Sequence, residues 1–177
     1  AVAGKYDEFI SKIKSLYLDV YNLTSRAMRE HIQRLAERLY QGEHIYLIGR
    51  GLGYATALEA ALKIKEVSYI HAEAFAAGEL KHGHLALIEK DVPVIVFMTD
   101  KKVLSNANEV KTRGGFLIGV SPEKVEIFDY WIKVPECGDF SPVVQSIPMQ
   151  FLAYELAVLR GLDPDKPRNL AKSVTVP

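Results

Sequence analysis

The stretch that most constrains this chain is residues 44–68, where the apolar run HIYLI passes through GRGLG into a long segment of helical periodicity. A strand, a glycine turn and a helix in that order form an α/β unit, and its strand needs parallel neighbours with helices over them. Further apolar runs at 92–98, 116–120 and 130–134 supply those neighbours, with a mostly polar helical segment at 101–113 between the first two. The pattern reads βαβαβ and predicts a doubly wound, three-layer αβα sandwich with a mainly parallel sheet. GRGLG is not a dinucleotide fingerprint. Its third glycine falls one residue early for G-x-G-x-x-G, and no acidic residue ends a strand about 20 residues on.

Two helices precede this core. Phe9, Ile10, Ile13, Leu16, Tyr17 and Val20 repeat with helical period. Met28, Ile32, Leu35 and Leu39 do so again at steps of 4, 3 and 4, with Gly42 as a stop. A last helix is expected over 142–160, from Val143, Ile147, Phe151, Tyr154 and Val158, closed by Gly161 and either kinked or begun at Pro148. The remainder has three prolines and no sustained period, which predicts an extended surface tail less ordered than the sheet. The expected organisation is one domain over 1–177: a helical lead-in at 1–42, an αβα core at 43–161 and a tail at 162–177.

Composition removes several functions. Lysine plus arginine equal aspartate plus glutamate at 22 each, so no basic excess steers nucleic acid or an anionic membrane surface. No apolar run approaches the roughly 18 residues of a membrane span. A single cysteine, Cys137, allows no internal disulfide, and the reducing cytoplasm is the expected compartment.

The candidate chemistry is concentrated at 57–87, ALEAALKIKEVSYIHAEAFAAGELKHGHLAL. Glu59, Lys63 and Glu66 at i, i+4 and i+7 share a sector of about 60° on a helix. That sector is bracketed by Leu62 and Tyr69 on one side and by Ala60 and Val67 on the other. On spacing alone the favoured reading is a ladder of ion pairs worth about 0.2–0.5 kcal/mol each. The other reading is a proton shuttle, because partial burial raises a carboxylate's pKa while a neighbouring ammonium restrains the rise. His82 and His84 form H-x-H near Glu79, but no third ligand with convincing spacing follows, so no metal is expected. Lys172, near the chain end, could attack a carbonyl to form a Schiff base if sheltered, although nothing in its spacing requires this.

The stretch ALEAALKIKEVSYIHAEAFAAGELKHG together with the ending PRNLAKSVTV closely resembles the second sugar isomerase (SIS) subdomain of the glutamine:fructose-6-phosphate aminotransferases. The resemblance runs from about Ile45 to the carboxyl terminus and implies a flavodoxin-like sheet. It matches Glu66 to the glutamate that moves a proton between C1 and C2 of the opened sugar, and Lys63 to the assisting lysine. His82 matches the ring-opening histidine, donated across the subunits of a homodimer. Lys172 matches the lysine that forms the Schiff base with fructose 6-phosphate. Ala171 would contact the sugar through its backbone, and Glu59 is a supporting residue at the substrate site.

The chain departs from the family pattern in reading K-H-G-H-L at 81–85 where K-H-G-P-L is usual, so the turn loses a φ restraint and gains a titratable ring. It also has no S-x-S-G-x-T-x-x-T loop for the sugar phosphate and no amino-terminal cysteine nucleophile for glutamine hydrolysis. The implied partners are therefore a first SIS subdomain and a glutaminase domain, with a sugar phosphate as substrate and no metal or organic cofactor. The expected function is the carboxyl-terminal isomerase part of glucosamine-6-phosphate synthesis, inactive in isolation. The alternatives are a stand-alone sugar-phosphate-binding or regulatory SIS module, or a phosphosugar isomerase or deglycase.

Overall fold

A computed structural model describes residues 6–170 of the chain. Its helices are α1 (Tyr6–Leu23), α2 (Arg26–Leu39), α3 (Leu52–Ser68), α4 (Val103–Lys111) and α5 (Ser141–Leu159). Its strands are β1 (His44–Gly49), β2 (His71–Ala76), β3 (Pro93–Phe97), β4 (Phe116–Ser121) and β5 (Tyr130–Lys133). All strand pairs are parallel, in the order β2-β1-β3-β4-β5, so the chain crosses from one side of β1 to the other after β2.

The two faces of the sheet follow from the alternation of side chains along each strand. Ile45, Leu47, Ile95, Phe97, Ile118 and Val120 point to one side, where α2, α3 and α5 bury Leu35, Ala57, Ile64, Leu152 and Leu156. Tyr46, Ile48, Val94, Val96 and Leu117 point to the other, where α4 contributes Val103, Ala107 and Val110. This is the three-layer doubly wound sandwich that the apolar runs predict. The α3–α5 contact is the most extensive helix pair, and the residues that α3 buries are mostly small: Ala57, Ala60 and Ala61 beside Ile64.

β2 is the element that the periodicity does not reveal. Its sequence, HAEAFA, is half alanine, with weak strand preference and no clean alternation. It becomes a strand because α3 returns the chain to the amino end of β1, where His71 pairs with His44. α5 runs without interruption through Pro148, which is buried within it.

The GRGLG turn is set by close approach. A Cβ on Gly49 would lie 2.2 Å from the carbonyl of Gly53, and one on Gly53 would lie 2.9 Å from the carbonyl oxygen of Phe97. Thr99 ties the turn to β3: its Oγ1 accepts from the Gly53 amide at 3.1 Å and donates to the Arg50 carbonyl at 3.2 Å.

α1 leans on α5, with Leu23 buried and Leu16 packed against the core. Its Tyr6, Phe9, Ile13, Tyr17, Leu18 and Tyr21 remain exposed. Among the described residues no helix is long and apolar enough to cross a membrane.

Candidate active site

Helix α3 carries the three charges on its outer face because its small and aliphatic residues are committed to the sheet and to α5. Lys63 Nζ lies 2.6 Å from Glu66 Oε2 and 3.9 Å from Glu59 Oε1. The Glu66 side chain is 28% exposed, against 45% for Glu59, so Glu66 is the more sheltered carboxylate. The hydrogen bond to Glu66 raises the Lys63 ammonium above its ordinary pKa, while partial burial pulls it down. The trio is thus an ion-pair ladder in form, with one short charge-assisted bond that fixes the position of the Glu66 carboxylate.

The site does not lie where ligands usually sit in such sheets. α3 starts at the GRGLG turn beside the carboxyl end of β1, and Glu66 comes fifteen residues after Gly51, about 22 Å along the helix. Glu66 is therefore near the amino edge of the sheet, two residues before the helix end and five before β2 begins. The GRGLG turn, at the carboxyl end of β1 where ligands sit in such sheets, and the three-charge sector are therefore two different places. A cleft of about 300 Å³ does open at the carboxyl ends of β3 and β4, lined by Met98, Thr99, Lys101, Pro122, Glu123 and Glu136. None of its lining residues comes from α3, and its Lys101–Glu123 pair at 2.6 Å is a surface ion pair. We take the α3 face, with its sheltered acid–base pair, as the candidate site.

His82 is elsewhere. Beyond β2 the chain forms a 3-10 turn, Ala77–His82, that buries Leu80 against the α4 face and is tied to α4 by Lys81–Glu109 at 2.8 Å. His82 is exposed at its end, and no hydrogen bond or ion pair joins it to Glu59, Lys63 or Glu66. Gly83 follows at φ 127°, and His84 stacks on Phe75 with ring centroids 4.0 Å apart. The two imidazoles of H-x-H thus have separate environments. Among the described residues no group of three or more His, Cys, Asp or Glu side chains is arranged to hold a metal. Ala171 and Lys172 lie outside the described residues.

One contact at the site had no sequence signal. The Arg168 amide donates to Tyr69 Oη at 2.7 Å, and the Arg168 guanidinium sits 4.1 Å from the Tyr69 ring centroid. Tyr69 caps α3 in the left-handed conformation, at φ 58°. The partners are 99 residues apart, so no local period connects them.

A family profile described as "SIS domain" matches residues 38–160. The chain belongs to the SIS domain family. This SIS domain is 48% identical over 179 residues to the glutamine–fructose-6-phosphate aminotransferase [isomerizing] of Thermococcus kodakarensis. That match covers 96% of the chain but 30% of the relative, so the chain spans about a third of the length of that protein. Among solved structures it is similar to the C-terminal domain of glucosamine-fructose-6-phosphate aminotransferase from Francisella tularensis, with a TM-score of 0.80 and 41% identity. That comparison covers 92% of this chain and 47% of the other. It is also similar, at a TM-score of 0.61 and 26% identity, to a glucosamine-6-phosphate deaminase from Thermotoga maritima, over 82% of this chain and 45% of that one.

Proposed function

We propose that this SIS domain is the carboxyl-terminal isomerase part of an enzyme that converts fructose 6-phosphate and glutamine-derived ammonia into glucosamine 6-phosphate. The observation that carries the reading is the sheltered Glu66–Lys63 pair, 2.6 Å apart on an outward helix face. A base that works on a sugar must be closed off from water. Here the covering surface, the phosphate-binding loop and the glutaminase would come from the rest of a longer polypeptide.

In the proposed sequence His82 of a neighbouring subunit opens the sugar ring by taking the proton of the O2 hydroxyl on the anomeric carbon and giving it to O5, so that the C2–O5 bond breaks and C2 becomes the ketone. The Lys172 amine then adds to C2 of the open ketose and expels water to form a Schiff base. Ammonia displaces the lysine, leaving an imine at C2. Glu66 takes a proton from C1 and returns it at C2, which gives the 2-amino aldose. Lys63 holds the carboxylate in place and Glu59 shares the lysine's charge. A homodimer follows from the need for His82 across subunits, since the chain does not bring its own His82 to Glu66. The cytoplasm, where sugar phosphates are handled and a lone thiol stays reduced, is the proposed compartment.

The test uses the complete polypeptide with fructose 6-phosphate and borohydride, followed by mass analysis of the trapped adduct. Lys172→Ala should trap none. Glu66→Gln should trap normally while product formation falls by about 10²–10⁴-fold, the usual weight of a positioned acid–base group. Equal trapping by Lys172→Ala and the native enzyme would rule the reading out. The similarity to the Thermotoga deaminase favours a second reading, ammonia release from an amino sugar phosphate. Product formation that persists with no glutamine requirement in either direction would select it.

A further inference from the structure

His82 stands exposed at the end of its 3-10 turn, yet its neighbours on both sides are tied down. On the amino side Leu80 is fully buried in the core that α4 covers, and Lys81 reaches Glu109 of α4 at 2.8 Å. On the carboxyl side the His84 ring lies on the buried Phe75 of β2, with centroids 4.0 Å apart and planes 26° apart. Between these anchors stand only His82 and Gly83. Gly83 has φ 127°, a conformation that suits glycine, and a Cβ there would meet nothing within 4 Å. Outside packing therefore does not set the course of this segment; the two anchors do. The Lys81–Glu109 pair adds little to stability, since the lysine side chain is 57% exposed. Its carboxylate is nonetheless sheltered: Glu109 Oε2 is buried with no hydrogen-bond partner among the described residues, as is Asn106 Oδ1 one turn earlier on α4. Sheltering such oxygens is unfavourable, and an apolar side chain would fill the place at less cost.

We infer that Glu109, acting through Lys81, and Phe75, acting through His84, are positioning residues that hold the His82 imidazole in one outward direction. The inference rests on the proposed role of His82 in opening the sugar ring and adds the residues that aim it. Each anchor controls one end of the segment. With the Lys81 tie cut, the imidazole swings on Gly83; with the ring stack lost, nothing holds the chain beyond Lys81. A proton relay between O2 and O5 needs the imidazole within hydrogen-bond reach of both, and misplacement by about 1 Å lowers such a step by up to about 100-fold. No hydrogen bond or ion pair joins either anchor to Glu59, Lys63 or Glu66, so the anchors bear on ring opening and not on the later proton transfer.

The experiment uses the complete polypeptide and two substrates, fructose 6-phosphate and its 5-deoxy analogue. The analogue has no O5, stays open, and needs no ring opening. Glu109→Gln keeps the shape and removes the charge, Lys81→Met removes the cation, and His84→Ala removes the stack. Each should lower kcat on fructose 6-phosphate by about 10–100-fold with KM and melting temperature unchanged, and leave turnover of the analogue at the native rate. His84→Phe, which restores a ring over Phe75, should recover most of the rate. Native-like turnover of fructose 6-phosphate by Glu109→Gln and His84→Ala, while His82→Ala is slow on it, overturns the positioning role. Equal slowing of both substrates by the anchor variants overturns it too, because the damage is then general. If His82→Ala is not selectively slow on fructose 6-phosphate, or the native enzyme does not turn over the analogue, the ring-opening reading itself falls and the inference with it.

Discussion

At the scale of single residues, the pair Lys63–Glu66 has a pH signature. The lysine's folded pKa is raised by its bond to Glu66, so its contribution to stability is complete below its ordinary value of 10.5 and is lost as the pH rises through the higher folded value. Native protein should therefore exceed Glu66→Gln by about 0.2–0.5 kcal/mol at neutral pH, and the gap should close in alkali above 10.5. Urea melts at pH 7, 10 and 11.5 check this, and a gap that widens at high pH contradicts it. Cys137 is the opposite kind of residue. Burial, with the Asp19 carboxylate 3.7 Å away, pushes its thiol up to about 11 from 9.0. Its thiolate fraction at pH 8 is then about 100-fold below that of a free cysteine, and iodoacetamide should label it correspondingly slowly. Asp19→Asn should speed the labelling. At this scale the sequence located the charges well, because i, i+4 and i+7 spacing follows from helix geometry alone. It could not rank Glu66 above Glu59, since the difference is shelter from the surroundings of α3.

At the scale of elements, the tight β1–α3 junction gives the clearest expectation. A methyl on Gly49 would overlap the Gly53 carbonyl at 2.2 Å, and backbone cannot swing aside as a side chain can. Gly49→Ala should cost about 3 kcal/mol, read as a lowered urea midpoint at unchanged slope. Gly78→Ala, where an added methyl meets nothing within 4 Å, should stay within about 0.5 kcal/mol of native. The helices α2 and α5 and the strands β1, β3 and β4 were legible because each commits a periodic or continuous apolar set to one core. Their ends moved by only a residue or two. β2 was not legible, since alanine carries no strand preference and the pairing partner lies 27 residues back. The same reason hid the 3-10 path that takes His82 to the opposite face from α3.

At the scale of the whole molecule, the outward faces bear on the proposed fragment role. Leu58 and Leu62 on α3 and Tyr154 and Val158 on α5 are each more than 40% exposed, and α1 adds six exposed apolar side chains. Among the described residues the Lys63–Glu66 pair lies on an outward helix face, with side chains 35% and 28% exposed, and on the proposed reading the rest of a longer polypeptide would have to exclude water there. The isolated chain should therefore unfold cooperatively yet yield no glucosamine 6-phosphate from fructose 6-phosphate and ammonia, as assayed by product chromatography. Measurable turnover by residues 1–177 alone would favour a self-sufficient isomerase. The sequence by itself determined the layers of this protein, because strand and helix periods dictate which faces must be buried. It also determined the family, through a run in which Glu59, Lys63, Glu66 and His82, none of them core residues, stand among buried positions such as Ala57, Ala60 and Ile64. The tertiary structure decided what stands beside what. It set Glu66 at the amino edge of the sheet and His82 across the sheet from it. It also brought Arg168 onto Tyr69, a contact between residues 99 positions apart that no local pattern encodes.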